Sequence, residues 1–269
     1  FAGFEAAATY YAHTTNLDLP MLFWGSLAIL ALVRALDAEP GAKPFAKHLR
    51  RAAVFAAFSI ASKDQGYALF AISIPVAVGI WAFQKRPGGA ARPLVLAAAT
   101  CVGLVLLIDG AVFNPSGFAA RIGFLTGPAS QDFAQHAKTF AGRASALKDT
   151  ILFLPNHYPV IAVPIFGIGA VVALRKKPLA SALPLLVILS FTLAFNCVAR
   201  RVEERFVMPQ MQFLAVYAGV LGSELPWMRW ARRAAMAVLV WAARDAATID
   251  ANMLGDARYD AERFMRSFE

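Results

Sequence analysis

The chain reads as an all-α, polytopic helical membrane protein, with about seven or eight transmembrane helices and amphipathic helices on its outer face. Three observations predict this. Hydrophobic residues fill 59% of the 269 positions and charged residues only 16%, and mean hydropathy is positive, which leaves too little polar surface to coat a soluble globule of this size. Apolar runs of helix-spanning length recur along the chain. The charges between them gather in short basic loops and in polar clusters at span ends: Thr14 to Pro20, Lys63-Asp64-Gln65 and Arg200 to Arg205.

In chain order the spans are expected at 20–36, 66–83, 93–108, 159–174, 179–198, 206–221 and 234–247. The apolar run 52–61 is too short to cross alone, and it reads as a short ascending helix before the Lys63-Asp64-Gln65 turn. Counting it as a crossing puts four basic loops on one side: Lys43, Lys47, Arg50 and Arg51; Lys85, Arg86 and Arg92; Arg175, Lys176 and Lys177; and Arg229, Arg232 and Arg233. The excess of Lys and Arg in short loops assigns that side to the cytoplasm. The net charge of +9 is thereby explained as a topology signal, and no nucleic-acid partner is expected.

The opposite face then carries the Asn16/Asp18 cluster, Lys63-Asp64, the loop 109–158, the arginine-rich cluster at 200–205 and the segment after Ala247. The loop 109–158 is too long for a bare connection. Phe133, Ala137 and Phe140 fall at helical spacing within 131–140, which predicts an amphipathic helix lying on the outer membrane surface. Residues 1–248 are read as one transmembrane domain including this loop, and 249–269 as the start of an extracytoplasmic C-terminal segment. Phe1 in place of Met, and an amphipathic pattern broken off after Gly255, read as a fragment lacking sequence at both ends.

Three clusters could carry chemistry, because ionisable groups at a bilayer edge are costly and tend to mark function. Tyr10, Tyr11, His13, Thr14, Thr15, Asn16 and Asp18 run into Pro20 and Phe23-Trp24. Asn16 or Asp18 could serve as a helix cap ahead of Pro20, or as a polar group that orients a substrate. Lys63 could snorkel or pair with Asp64, or offer its ammonium as a point charge to a phosphate. Arg200, Arg201, Glu203, Glu204 and Arg205 must be partly paired with one another. Arg205 opens a helix, where its charge opposes the dipole, so an anionic partner is expected.

Four scattered histidines lack metal-ligand spacing. Cys101 and Cys197 read as inert thiols in packed helices. No Gly-rich phosphate loop, nucleophile elbow or Ser-His-Asp order is present. Neither a metal nor a cofactor is expected.

Taken together, Asn16, Asp18, Pro20 and Phe23-Trp24 at the head of a span, Ser62-Lys63 at the end of a short helix, and Arg205-Phe206 with Pro209 opening a late span form a pattern. It resembles membrane glycosyltransferases of the GT-C class, in the protein O-mannosyltransferase and aminoarabinose-transferase-like branch. The resemblance implies transfer of a sugar from a polyprenyl-phosphate donor to a protein, lipid or glycan acceptor on the extracytoplasmic face, with inversion at the anomeric carbon. It makes Lys63, Arg205 and Arg201 the donor-phosphate ligands, with Asn16, Asp18, His13 and Tyr11 orienting substrate. The family's catalytic carboxylate belongs to the first outer loop, so the resemblance places the general base upstream of Phe1. High Ala, Arg and Gly content points to a GC-rich bacterial genome, and with the resemblance the expected location is the bacterial inner membrane. The competing expectations are a secondary transporter and a non-catalytic subunit of an envelope polysaccharide assembly or export system.

Overall fold

The computed structural model describes residues 16–85, 88–131, 133–158, 160–224, 229–254 and 264–267, which are helical and loop segments without a strand. Helix α1 (Asp18–Asp37) is a nearly continuous run of Leu, Ala and Ile, opened by Asp18 and closed near Arg34, each charge favourable to the dipole at its own end. Helix α2 (Lys43–Ser62) begins with a proline in its first turn. It buries Phe45, Leu49, Ala52, Ala53, Ala56 and Ala57 as one stripe. The alanines let α2 approach α1 closely, and the buried Ser59 hydroxyl fastens the pair by donating to the Met21 carbonyl at 2.8 Å.

The start of α2 departs from expectation. The basic segment read as a loop up to Arg51 is helical from Lys43 onward, because Lys and Arg are good helix formers whose aliphatic stems lie along apolar surface. The 20-residue helix is about 30 Å long.

After Lys63 the chain turns through a single 3₁₀ turn (Asp64–Gly66) into the short α3 (Tyr67–Phe70), breaks, and continues as α4 (Ser73–Lys85). An added Cβ at Gly66 would lie 2.6 Å from the Ser59 carbonyl oxygen, so this turn requires glycine. Helix α5 (Ala91–Ile108) buries none of its residues within the protein. Two helices follow in the outer loop, α6 (Pro115–Thr126) and α7 (Phe140–His157), capped by the side chains of Asn114 and Thr139. Helices α8 (Ala162–Lys176) and α9 (Pro178–Phe191) form the next pair. Helix α9 runs on through a π-turn (Thr192–Asn196) and the single turn α10 (Cys197–Ala199). A 3₁₀ turn (Glu204–Phe206), α11 (Met208–Glu224) and α12 (Arg229–Leu254) complete the order.

Four helical segments among the described residues are long and apolar enough to cross a membrane: Asp18–Asp37, Asp64–Lys85, Ala91–Ile108 and Pro178–Ala199. The other expected spans are helical but fall short of that standard, α8 with 15 residues and α11 with 17. Helix α12 has the length but carries Arg229, Arg232, Arg233, Arg244 and Asp245. The amphipathic helix expected at 131–140 is absent: residues 133–139 are non-helical. Their backbone is committed elsewhere, since the Gln135 and His136 N–H groups both donate to the Arg200 carbonyl, at 2.9 and 3.1 Å. The loop's helices lie on either side of that stretch.

One apolar core joins α1, α2, α4 and α9, with the Phe45 and Trp81 rings stacked 5.3 Å apart. A second joins α8 and α11, where Gly169 lies against the Tyr217 backbone carbonyl with no room for a Cβ.

Candidate functional site

The C-terminal end of α2 meets the N-terminal end of α1, which makes the two helices an antiparallel hairpin. At this junction Lys63 Nζ donates to Asp18 Oδ1 at 2.5 Å. The Asp18 carboxylate is 2% exposed and its Oδ2 has no hydrogen-bond partner among the described residues. The N-cap is Leu17, without a side-chain cap, and Asn16 Oδ1 accepts the Asp18 N–H at 3.0 Å just ahead of it. Asp18 reaches across to α2 instead of capping its own helix. Burial lowers the Lys63 pKa below the ordinary lysine value; Asp18 opposes this and the charge on Arg205 adds to it.

Asp64 does not pair with Lys63. Arg121 of α6 donates to Asp64 Oδ1 at 2.5 Å and to Asp109 Oδ1, just past α5, at 3.3 Å. Burial raises the Asp109 pKa, Arg121 opposes the rise and Asp64 adds to it. The loop after α10 completes this end of the bundle. Arg201 and Arg205 both engage the Glu203 carboxylate, the latter at 2.6 Å. The Arg201 guanidinium lies 5.1 Å over Phe133 and 5.8 Å over Phe206, and that of Arg205 lies 5.1 Å over Phe206. Arg200, the one described non-glycine residue with positive φ (53°), turns its side chain away to the His136 carbonyl and the Gln131 amide oxygen, at 3.0 and 2.9 Å.

No protein-family profile, curated protein or solved structure matches this chain. The site rests on its own geometry.

The structure brings together Asn16, Asp18 and Lys63 of the expected residues, with Arg201 and Arg205 on an adjoining loop whose charge acts on Lys63. Tyr11 and His13 lie outside the described residues. Lys63 faces the Asp18 carboxylate, and Arg201 and Arg205 share that of Glu203. Two guanidiniums sharing one carboxylate, beside an ammonium in a partly desolvated pair, can hold an oxyanion bearing more than one acceptor oxygen. Among the described residues no group of three His, Cys, Asp or Glu side chains could hold a metal ion.

Sequence reasoning missed Arg121 and Asp109, whereas the mutual pairing expected within the 200–205 cluster is found at Glu203. Arg121 had a signal, as the only charged residue in the otherwise apolar Pro115–Thr126.

A buried polar layer supports the arginine loop from below. Asn196 Nδ2 donates to the Phe206 carbonyl at 3.2 Å, and the Gln210 amide contacts Thr192 Oγ1 and Asn196 Oδ1 at 3.2 Å each. The break between α3 and α4 is bolted to the same helix: Ser190 Oγ accepts the Ile72 N–H at 3.0 Å and donates to the Ala68 carbonyl at 2.6 Å. Tyr67 donates to the Ala194 carbonyl at 2.9 Å. Further along the bundle an apolar cavity of about 500 Å³ lies between α1, α9 and α11, lined by Ser26, Leu30, Pro184, Gln212, Val216 and Tyr217 among others.

The basic loops gather at the other end. Lys177 pairs with Asp37 at 3.6 Å, and the α1–α2 loop touches the α4–α5 loop where Gly41 faces the Gly88 carbonyl.

Proposed function

We propose that this protein is an integral membrane glycosyltransferase, in which Lys63, Arg205 and Arg201 hold the phosphate of a polyprenyl-phosphate sugar donor and Asn16 and Asp18 orient substrate. The observation that carries the reading is the clustering of Lys63, Arg201 and Arg205 at one bundle end, with both guanidiniums on the single Glu203 carboxylate and the ammonium partly desolvated beside Asp18, while Lys177 and the α1–α2 and α4–α5 loops lie at the other end. On the positive-inside rule this sorting of charge supports a site on the extracytoplasmic face, and the membrane is proposed to be a bacterial inner membrane. Helices α2, α8, α11 and α12 complete about seven or eight crossings. The apolar cavity offers room for isoprenoid units of the donor.

Departure of a lipid phosphate develops negative charge, and fixed cations in a water-poor setting stabilise it where it forms. Asp18 Oδ2, buried and without a partner among the described residues, is available to accept a hydrogen bond from a sugar or acceptor hydroxyl. The general base is assigned to none of the described residues.

The test is transfer of radiolabelled sugar from polyprenyl-phosphate donors to membrane acceptors by the full-length protein, beside Lys63→Ala and Arg205→Ala. Loss of labelling in both variants at equal membrane abundance supports the reading. Wild-type protein that is folded and inserted yet transfers from no donor refutes it, in favour of transport or envelope-polymer assembly.

A further inference from the structure

Arg121 is far in sequence from every residue of the phosphate site, yet it closes an ion cluster directly beside it. Its guanidinium reaches Asp64, the residue next to Lys63, at 2.5 Å, and Asp109 at 3.3 Å. The two carboxylates are close enough to act on each other electrostatically. Both come from structures fixed independently of Arg121: Asp64 opens the 3₁₀ turn closed by the Gly66 N–H donating to the Lys63 carbonyl at 2.8 Å, and Asp109 ends α5, its N–H bonded to Val105 at 2.9 Å. Arg121 is delivered to them by α6, whose first turn is pinned by Asn114 accepting the Gly117 N–H at 3.0 Å.

Without this cation, Asp64, the chain neighbour of Lys63, and Asp109 would carry uncompensated negative charge at this end of the bundle. Their combined field would oppose an incoming phosphate. A unit charge several ångströms away in the partly screened edge of a protein is worth a tenfold change in affinity or more.

We infer that Arg121 is a positioning residue that neutralises Asp64 and Asp109, and so keeps Lys63 available to an anionic ligand. It touches no ligand itself and acts through the two carboxylates. This rests on the proposed phosphate-binding function, which it deepens by extending the site to α6 and the outer loop. A purely structural latch between α6 and the bundle makes the opposite prediction for the carboxylate variants, because a latch is broken equally from either side.

The experiment is binding of a short-chain isoprenyl monophosphate, with inorganic phosphate in parallel, to the purified full-length protein in detergent, together with thermal melting of each variant. Arg121→Gln is expected to weaken isoprenyl phosphate binding about tenfold or more, and Arg121→Gln with Asp64→Asn to recover most of that loss. Asp64→Asn alone, which keeps Arg121, is expected to bind at least as tightly as wild type. Arg121→Lys, which keeps the charge and loses the fork, is expected to stay within a few-fold of wild type.

Unchanged affinity in Arg121→Gln, or a tenfold loss in Asp64→Asn, overturns the inference while the proposed function stands. The Asp64→Asn arm decides the matter even where Arg121→Gln does not fold. Absence of wild-type binding to isoprenyl phosphate overturns the proposed function itself and the inference with it. Binding of inorganic phosphate that follows the same order of variants supports neutralisation at the phosphate, and an order seen only with the isoprenyl ligand contradicts it.

Discussion

Asp18 and Lys63 stand 45 positions apart and share a buried contact at 2.5 Å, and their energetics separate a structural role from a functional one. Removing one partner leaves a buried charge uncompensated, so Lys63→Met alone is expected to destabilise the protein by about 3–5 kcal/mol. Asp18→Leu with Lys63→Met replaces the pair by apolar groups and is expected to regain most of that stability while binding no phosphate; melting and binding measured on the same preparations check both halves. A second prediction follows from the lowered Lys63 pKa. The ammonium is lost on the alkaline side before an ordinary lysine at 10.5 would lose it, so phosphate affinity falls in that window. In the same window the unfolded chain holds more protons than the folded one, so this group's contribution to stability rises with pH. Affinity and stability should therefore move in opposite directions on alkaline titration. The candidates Lys63, Asp18, Arg201 and Arg205 were legible in the sequence because charges stand out against apolar runs. The pairing within the 200–205 cluster was legible too, but the partner of Lys63 was not: it is adjacent to Asp64 and pairs instead with a residue that only the docking of α1 on α2 brings near.

At the scale of elements, the site depends on two broken helices bolted to each other. Ser190 satisfies both a donor and an acceptor freed at the break between α3 and α4, so Ser190→Ala leaves buried backbone groups unpaired and is expected to cost about 1–3 kcal/mol, read as a lower unfolding midpoint. Gly66→Ala would drive a Cβ into the Ser59 carbonyl and is expected to displace Lys63, lowering phosphate affinity as well as stability. Gly169→Ala, which meets the Tyr217 backbone in the other core, is expected to lower stability without selectively weakening binding. The sequence showed α1 and α5 with close to their observed limits, because each is a clean apolar run. It misplaced the outer-loop helices and began α2 too late. Phe133, Ala137 and Phe140 have helical spacing, but Arg200 and Gln135 tie that stretch down through tertiary hydrogen bonds that no local pattern encodes. Lys and Arg at the head of α2 carry a loop-like charge pattern together with strong helix propensity, and propensity prevailed.

For the molecule as a whole, the ion pairs and loop contacts sort charge to opposite ends: Asp18, Lys63, Asp64, Asp109 and Arg121 at one, the Asp37–Lys177 pair with the Gly41 and Gly88 turns at the other. The apolar exterior between them, including much of α5, is compatible with a membrane protein. The seven or eight crossings expected from sequence exceed the four segments that qualify by length and composition. A hydropathy reading merges an apolar helix with its neighbouring turns, and it cannot distinguish a crossing from a short helix packed in the second core. Single cysteines placed at the exposed loop positions Glu39 and Val112, in a background without Cys101 and Cys197, should be modified by membrane-impermeant reagent from opposite sides of the membrane. The most direct test of the central claim is transfer of labelled sugar from a polyprenyl-phosphate donor by the full-length protein and its Lys63→Ala and Arg205→Ala variants. The account predicts transfer by the wild type that is lost in both variants at unchanged abundance; wild-type turnover retained in both would contradict it.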